Sequence, residues 1–200
     1  MKEYYPKFES GKFYHVYNRA NGKEILFKEP KNYNFFLEKW NDYLNPFLDV
    51  WTYCLLPNHF HFLVKIKNLN KLELVEEPGK LAAETISNQF RSLFISYTKS
   101  FNKVYDRHGN LFQKPFKRLL VDSNTYLLTL IHYIHHNPIH HSFVNDFSDW
   151  KYSSYSALTG KGKTNVKKSA VLNLYGGRKE FIDFHNQMKD YKKIKNLIIE

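Results

Sequence analysis

The spacing of apolar and polar residues along the chain predicts four strands. Runs rich in β-forming residues, several of them alternating between apolar and polar, stand at FYHVYNR (Phe13–Arg19), DVWTYCLLP (Asp49–Pro57), HFHFLVKIK (His59–Lys67) and KRLLVD (Lys117–Asp122). Pro57 and Asn58 interrupt the chain between the second and third runs. Because this connection is so short, we expect those two strands to form an antiparallel hairpin.

Apolar residues at intervals of three and four predict helices between and after the strands. The first helix follows Pro30, and its apolar contacts are Phe35, Leu37, Trp40 and Leu44. The second helix spans residues 81–102, with apolar residues at Ile86, Phe90, Leu93, Phe94, Tyr97 and Phe101. A third helix is capped by Ser123 or Asn124 and is expected to end at Pro138. The polar segment 69–80 is interpreted as a loop or a weak helix.

The order of these elements predicts an α+β fold. It is strand, helix, strand, strand, helix, strand, helix, which is typical of a ferredoxin-like four-stranded antiparallel sheet with helices on one face. RNA-binding RRM domains share this architecture. We expect a main domain over residues 1–159 and a basic tail over residues 160–200. The tail begins with a Gly/Lys-rich linker and holds a last helix from about Gly177.

Composition and charge indicate a polyanionic partner. The chain has 200 residues, of which 42% are hydrophobic and 18% aromatic, and its formal net charge is +11. A globular protein this basic usually binds nucleic acid, and aromatic side chains among cations are suited to stacking on unpaired bases. An anionic membrane surface is a competing interpretation, but the sequence shows no long basic amphipathic helix with an unbroken apolar face. A compositional bias towards Lys, Asn, Tyr, Phe and Ile from an AT-rich genome stays open.

The same features predict a cytoplasmic protein. Cys54 is the single cysteine, so no internal disulfide can form, and its apolar neighbours indicate an inert packing role. The amino-terminal residues lack the apolar centre of a signal peptide. No apolar run approaches the length of about 18 residues that a membrane span needs, so we expect no membrane partner.

His59 and His61 are the first candidates for chemistry. Two residues apart on a strand, they share one face, so both imidazoles can reach one metal ion. Phe60 points the other way, towards the core, so we expect the histidine face to be unpacked. Imidazole suits Mn²⁺, Co²⁺ and Zn²⁺ better than Mg²⁺. The alternative is a half-exposed strand without a ligand.

The third helix carries the next candidates. Tyr133 and Asn137 are four residues apart and share one helix face, where an amide oxygen and a tyrosine hydroxyl would lie together. Asn137 offers a hard ligand that could complete a site with the two histidines, and Tyr133 a nucleophile. Core packing is the alternative role for Tyr133. His132 and His136 could form a separate site, but a phosphate groove or an exposed helix face is the preferred interpretation.

Several motifs together resemble one family. LPNHFHFLVK (Leu56–Lys65) resembles the His-hydrophobe-His motif of the HUH single-strand endonucleases. YIHHNPIHHSFV followed by SDWKYSSY resembles the carboxyl-terminal signature of the single-tyrosine transposases, in particular the REP-associated tyrosine transposases. The intervening YTKSFN (Tyr97–Asn102) and GNLFQKPFKRLLVD (Gly109–Asp122) also fit. The resemblance covers about Phe13 to Leu158, and the tail after Gly160 lies outside it.

The resemblance implies an HUH endonuclease fold and a transposase that cuts single-stranded or hairpin DNA. His59 and His61 would bind a divalent ion, Mg²⁺ or Mn²⁺, with Asn137 as the third ligand. Tyr133 would attack phosphorus and form a 5′-phosphotyrosine with a free 3′-hydroxyl. Such proteins act as monomers or as dimers in which one chain's tyrosine serves the other's metal, so a homodimer is compatible with the sequence.

Other residues are weaker candidates. The predicted DNA contacts are Arg107, Gln113, Lys114, Phe116, Lys117 and Arg118, although the charged members of this set are equally typical of solvated surface. Tyr97 and Tyr105 are rival nucleophiles because they too follow the histidine pair. A binding module without catalysis, on an RRM-like fold, is the alternative function, as is a domesticated relative that binds hairpins without cutting.

Overall fold

Four strands make up the sheet of the described chain. The computed structural model, which describes residues 5–68 and 80–187, has strands β1 (Phe13–Arg19), β2 (Leu48–Leu56), β3 (His59–Ile66) and β4 (Lys117–Val121). They pair antiparallel in the order β2-β3-β1-β4. The predicted hairpin of the second and third strands is confirmed, and so is the α+β class with a four-stranded antiparallel sheet.

The helices begin where the sequence provides caps. They are α1 (Pro30–Leu44), α2 (Lys80–Val104), α3 (Asn124–His140), α4 (Tyr155–Thr159), α5 (Lys168–Tyr175) and α6 (Arg178–Gln187). Glu29 and Asn32 form a capping box at the start of α1, and the Ser123 hydroxyl accepts a hydrogen bond from the Tyr126 amide at the start of α3. None of the helices in the described ranges is both long and apolar enough to cross a membrane.

The expectation that Pro138 ends the third helix is wrong. Pro138 lies inside α3, which continues to His140. Proline removes one amide donor, but the following residues still bond back to the helix: the His141 amide donates to the Asn137 carbonyl and the Phe143 amide to the Pro138 carbonyl. One missing hydrogen bond is therefore tolerated in a helix that is packed on nearly all sides.

One face of the sheet packs against α1 and α2. Phe60 and Phe62 of β3 are fully buried there, as predicted for Phe60, and the Phe62 ring stacks on Trp40 of α1 with 3.5 Å between centroids. Phe90 of α2 contacts the edge of the Trp40 ring at 5.6 Å. This aromatic core, called the first core, holds β3 in place. The side chains that alternate with Phe60 and Phe62 therefore point to the opposite face of the sheet.

The opposite face is packed as well, which differs from the expected covering of one face. Helix α3 lies across β2 and β3 on the side that carries the histidines, with Leu63 and Cys54 in the core beneath it. Most of its residues from Tyr126 to Pro138 are buried. A helix that is apolar on nearly all sides needs cover on two sides, and the sheet and the carboxyl-terminal helices supply it.

The core between this face of the sheet and α3 is called the second core, and part of the predicted tail belongs to it. Val166, Val171 and Phe181 are buried against α3 and its neighbours, and the helix expected from about Gly177 corresponds to α6. Helix α5 was not predicted, because it is only eight residues long. The segments 69–79 and 188–200 lie outside the described residues, and a domain boundary at residue 159 stays a prediction.

A buried polar network joins α6 to α3 and the sheet. His135 Nε2 lies 2.7 Å from Thr52 Oγ1 and 2.8 Å from Ser154 Oγ, and His135 Nδ1 lies 3.0 Å from His185 Nε2. His185 Nδ1 in turn donates to the Phe181 carbonyl. Burial, and then the charge of His132, lowers the pKa of His185 to about 3, so the ring is neutral in the fold.

We expect this network to make the fold sensitive to acid. The pKa of His185 is lowered from near 6.5 in the unfolded chain, so the unfolded state takes up a proton first as the pH falls. Its stabilising contribution is therefore present at pH 7 and is lost progressively as the pH falls from about 6.5 towards 3. The expected loss from this one group between pH 7 and pH 5 is about 2 kcal/mol. Urea unfolding at the two pH values measures it.

The matched comparison uses two glutamine variants. H185Q should lose less stability between the two pH values than the wild type does, by about the amount assigned to this ring. His108→Gln should change nothing, because the His108 side chain is exposed. An equal acid sensitivity of H185Q and the wild type would contradict the assignment.

Candidate active site

His59 and His61 lie at the start of β3 on the sheet face that α3 covers. His61 is 1% exposed, and its ring centroid lies 5.2 Å from that of His59. The expected shared face is therefore present. The expectation that this face is unpacked is wrong, because α3 and the second core cover it.

Helix α3 brings Tyr133 and Asn137 to the same place. The Tyr133 ring contacts the His61 ring edge-on, with 5.5 Å between centroids. The Asn137 amide nitrogen donates to the Tyr133 carbonyl at 2.9 Å, which turns its amide oxygen away from the helix backbone. That oxygen is buried, and none of the described residues donates to it while His59 is neutral. A protonated His59 would donate to Asn137, and this hydrogen bond raises the pKa of the His59 ring.

The environment of His59 keeps its ring neutral. Its pKa is lowered to about 3, by burial first and then by the charges of His141 and Arg19, and the Asn137 oxygen offsets only part of this effect. The Asn58 side-chain oxygen lies 2.7 Å from His59 Nδ1. Because an amide oxygen can only accept, Nδ1 carries the proton and Nε2 keeps its lone pair.

These groups fit a divalent cation. Within the part of the chain that the structure describes, His59 Nε2 and Asn137 Oδ1 are both buried and have no hydrogen-bond donor. Two lone pairs repel each other unless a cation or a donor lies between them. Within the described ranges no three His, Cys, Asp or Glu side chains converge on one point, so the amide oxygen is needed for a third ligand.

A cavity of about 140 Å³ opens beside the histidines. It is lined by Tyr17, Asn18, Arg19, Asn58, His59, His61, Gln113, Pro115, Lys117 and His141. None of these lining residues is acidic, and Arg19 and Lys117 are cations. Such a lining favours an anion, and a phosphate group fits it.

The predicted DNA contacts divide by location. Gln113 and Lys117 line this cavity, and Lys114 is exposed at its edge next to Pro115. Lys117 also lies over the Tyr17 ring, 5.7 Å from its centroid. Of the predicted DNA contacts, these three therefore lie at the cavity or next to one of its lining residues.

The other predicted contacts have structural partners. Arg107 forms an ion pair with Glu24 at 2.9 Å and donates to the Gly109 and Asn110 carbonyls. Arg118 donates to the Pro6 carbonyl, and Phe116 stacks on Phe90 in the first core. The structure does not bring these three side chains to the cavity.

The rival nucleophiles lie on the far side of the sheet. Tyr97 is buried in the first core and donates to the Leu26 carbonyl at 2.6 Å. Tyr105 donates to Glu29 of the α1 cap. Among the three candidate tyrosines, only Tyr133 shares a face with the histidine pair.

His132 and His136 do not form the groove or exposed face that was preferred for them. His132 is fully buried between Phe147 and His185, and the His136 ring stacks beside it with 5.4 Å between centroids. Burial, and then the charge of His136, lowers the pKa of His132 to about 4. The interpretation of this helix face as a phosphate groove is therefore wrong, because the face packs against Phe147 and His185.

Strand β1 supplies residues that the sequence analysis missed. Arg19 and Tyr17 lie directly opposite His59 and His61 in the antiparallel register, and His15 forms a hydrogen bond with His61. His141, just after α3, contacts the His59 ring at 5.0 Å between centroids. The alternation HVYNR was a usable signal, because it places His15, Tyr17 and Arg19 on one face once β1 is paired with β3.

Comparisons with known proteins support the motif-based resemblance. No family model matches the chain. A curated protein of Haemophilus influenzae, named "Putative REP-associated tyrosine transposase", is 28% identical over 106 residues, which are 51% of this chain and 56% of that protein. The match thus spans little more than half of the relative's length.

A solved structure extends the comparison to the fold. The structure of a REP-associated tyrosine transposase bound to a REP hairpin superposes with a TM-score of 0.62 and 16% identity, over 81% of this chain and 87% of that one. The HUH fold expected from the motifs is confirmed. The resemblance of this chain to the REP-associated tyrosine transposases is likewise confirmed.

Proposed function

We propose that the protein is a metal-dependent transposase that cuts single-stranded DNA next to hairpins through a covalent tyrosine intermediate. The observation that carries the proposal is the packing of Tyr133 and Asn137, one turn apart on α3, against the His59–His61 pair. The similarity to proteins named REP-associated tyrosine transposases supports the same chemistry.

His59, His61 and Asn137 would hold a divalent ion, Mg²⁺ or Mn²⁺. The half-buried, neutral imidazole of His59 and the Asn137 amide oxygen, to which no described residue donates, suit that role. When bound, the ion would polarise the scissile phosphate and offset the negative charge that develops on its oxygens.

Tyr133 would be the nucleophile. Its hydroxyl loses a proton, its oxygen bonds to phosphorus, and the bond from phosphorus to the 3′-oxygen breaks. That oxygen takes up a proton, which leaves a 5′-phosphotyrosine and a free 3′-hydroxyl. Tyr133 is 1% exposed and does not line the cavity, so the attack requires its side chain to turn or α3 to shift.

The cavity would hold the phosphate backbone of the DNA. Arg19 and Lys117 would neutralise phosphates, and the Tyr17 ring and the Gln113 amide would contact a base. The fold neighbour was solved with a REP hairpin, which supports hairpin DNA as the partner here.

The second candidate is a hairpin-binding protein that does not cut. The burial of Tyr133 favours it, because a nucleophile without access to the cavity cannot react. A homodimer, in which Tyr133 of one protomer serves the histidines of the other, is a further prediction from the family resemblance.

Covalent trapping distinguishes cutting from binding. Incubated with Mn²⁺ and labelled hairpin DNA carrying a single-stranded flank, the wild type should form an adduct that survives a denaturing gel. Tyr133→Phe should form none, because it lacks the hydroxyl but keeps the ring. An adduct of undiminished yield with this variant would refute the nucleophile assignment, and tight binding without any adduct in the wild type would favour the non-catalytic candidate.

The control variants separate the two roles of the site. His59→Ala and EDTA should abolish the adduct without abolishing hairpin binding, whereas Tyr105→Phe should leave the yield unchanged because Tyr105 lies on the other side of the sheet. A mixture of the Tyr133→Phe and His59→Ala proteins should recover activity only if the tyrosine acts across a dimer.

Asn137 should lower the stability of the metal-free protein while enabling metal binding. Asn137→Leu removes a buried acceptor to which no described residue donates, and it also removes the amide hydrogen bond to the Tyr133 carbonyl. Because the first effect is expected to outweigh the second, the metal-free protein should gain about 1 kcal/mol in its free energy of unfolding. The same variant should lose Mn²⁺ binding, whereas Asn137→Asp should keep it. Urea unfolding and calorimetric titration with Mn²⁺ measure the two effects, and a destabilised Asn137→Leu protein would contradict the prediction.

Lys117 should contribute one phosphate contact. Lys117→Gln should weaken hairpin binding and reduce the slope of log K against log salt by about 0.9. Lys103→Gln, an exposed position near the end of α2, is the matched control and should leave the slope unchanged. Fluorescence anisotropy over a range of salt concentrations tests both variants, and equal slopes for Lys117→Gln and the wild type would exclude the contact.

A further inference from the structure

His15 lies behind the proposed metal ligand His61. It is fully buried on β1, and its Nε2 lies 3.0 Å from His61 Nδ1. In the register of the two strands His61 is opposite Tyr17, so His15 is its diagonal neighbour on the same face. The two imidazole rings are nearly parallel, with an angle of 22° between them.

We propose that His15 is a positioning residue that holds His61 in the tautomer able to bind a metal ion. The inference rests on the proposed function, and it concerns a residue that would touch neither the ion nor the DNA. It follows from how one proton can be shared between two neutral rings.

The hydrogen bond between the rings has two possible directions. If His15 Nε2 donates, His61 Nδ1 accepts, the proton of His61 sits on Nε2, and no lone pair remains there for a metal. If His61 Nδ1 donates to His15 Nε2, the lone pair of His61 Nε2 is available. Only the second direction is compatible with a ligand role for His61.

Burial ensures that the choice is between tautomers and not between charge states. The pKa of His61 is lowered well below its ordinary value, chiefly by burial and then by repulsion that its cation would meet from the His15 and His59 rings. For a neutral His61 ring, the direction of the hydrogen bond to His15 determines which nitrogen of His61 holds the proton.

A similar device acts on the neighbouring ligand. Asn58 accepts from His59 Nδ1 and leaves His59 Nε2 with its lone pair. Metal-binding histidines in general donate their second ring N–H to such an acceptor, which fixes the ring and raises its basicity. His59 takes its acceptor from the preceding residue, whereas His61 takes it from another strand.

The packing around His15 holds its ring in place. Tyr17 stacks on it with 4.7 Å between centroids, and Tyr133 meets its edge at 6.3 Å. Tyr133 also contacts His61. His15, the proposed ligand His61 and the proposed nucleophile Tyr133 therefore pack in one cluster.

Nitrogen NMR of the metal-free protein tests the tautomer directly. In protein with ¹⁵N-labelled histidine, the His61 signals should show the proton on Nδ1 in the wild type. The preference should be lost in H15F, which fills the space without an acceptor, and kept in H15Q, whose amide oxygen can accept. A proton on Nε2 of His61 in the wild type would overturn the proposal, whatever the variants do.

Calorimetric titration with Mn²⁺ supplies the second measurement. H15F should bind Mn²⁺ about 10- to 100-fold more weakly than the wild type. H15Q should restore most of the affinity, which a purely space-filling role of His15 would not explain. A folded H15F protein, as judged by its circular dichroism, that binds Mn²⁺ as tightly as the wild type would also overturn the proposal.

The failure of the metal site itself gives a different result. If H59A and H61A both bind Mn²⁺ like the wild type, the proposed metal site is wrong and the role of His15 falls with it. If both lose Mn²⁺ binding while H15F keeps it, the metal site stands and only the role of His15 is refuted.

Discussion

The candidate site depends on the contact between α3 and the histidine-bearing face of the sheet. The helix removes His61 from water and leaves His59 only partly exposed, so both imidazoles stay neutral and can offer lone pairs. The same contact delivers Tyr133 and Asn137, which come from a part of the chain some 70 residues away. Without α3, the two histidines would be ordinary side chains on an exposed strand.

Covering a polar sheet face with a helix removes polar groups from water, which costs free energy unless they form hydrogen bonds. The structure offsets this cost at some positions and not at others. Around His135 the cost is offset by close hydrogen bonds to Thr52, Ser154 and His185. Around Asn137 it is not offset, since none of the residues in the described ranges donates to the amide oxygen. Natural proteins break such local rules mainly at functional sites, so the contrast between two neighbouring parts of one helix supports the role proposed for Asn137.

The sequence was most informative where one element is sufficient for the inference. The period of two placed His59 and His61 on one face, and the period of four paired Tyr133 with Asn137. It was least informative where strands must first be paired: His15, Tyr17 and Arg19 join the site through the β1–β3 register, which no local pattern encodes. The alternation around Phe60 located the first core correctly but could not reveal the second core, because the covering helix is distant in sequence.

The hydrogen bonds of His135, on the far side of α3, affect how this helix is rotated about its axis. Each residue turns a helix by about 100°, so a small rotation of α3 about its axis would swing Tyr133 and Asn137 sideways past the histidine pair. His135, tied to β2 through Thr52 and to α6 through His185, resists that rotation. Helix α6, none of whose residues lines the cavity beside the histidines, thus helps to fix the rotation of α3 about its axis.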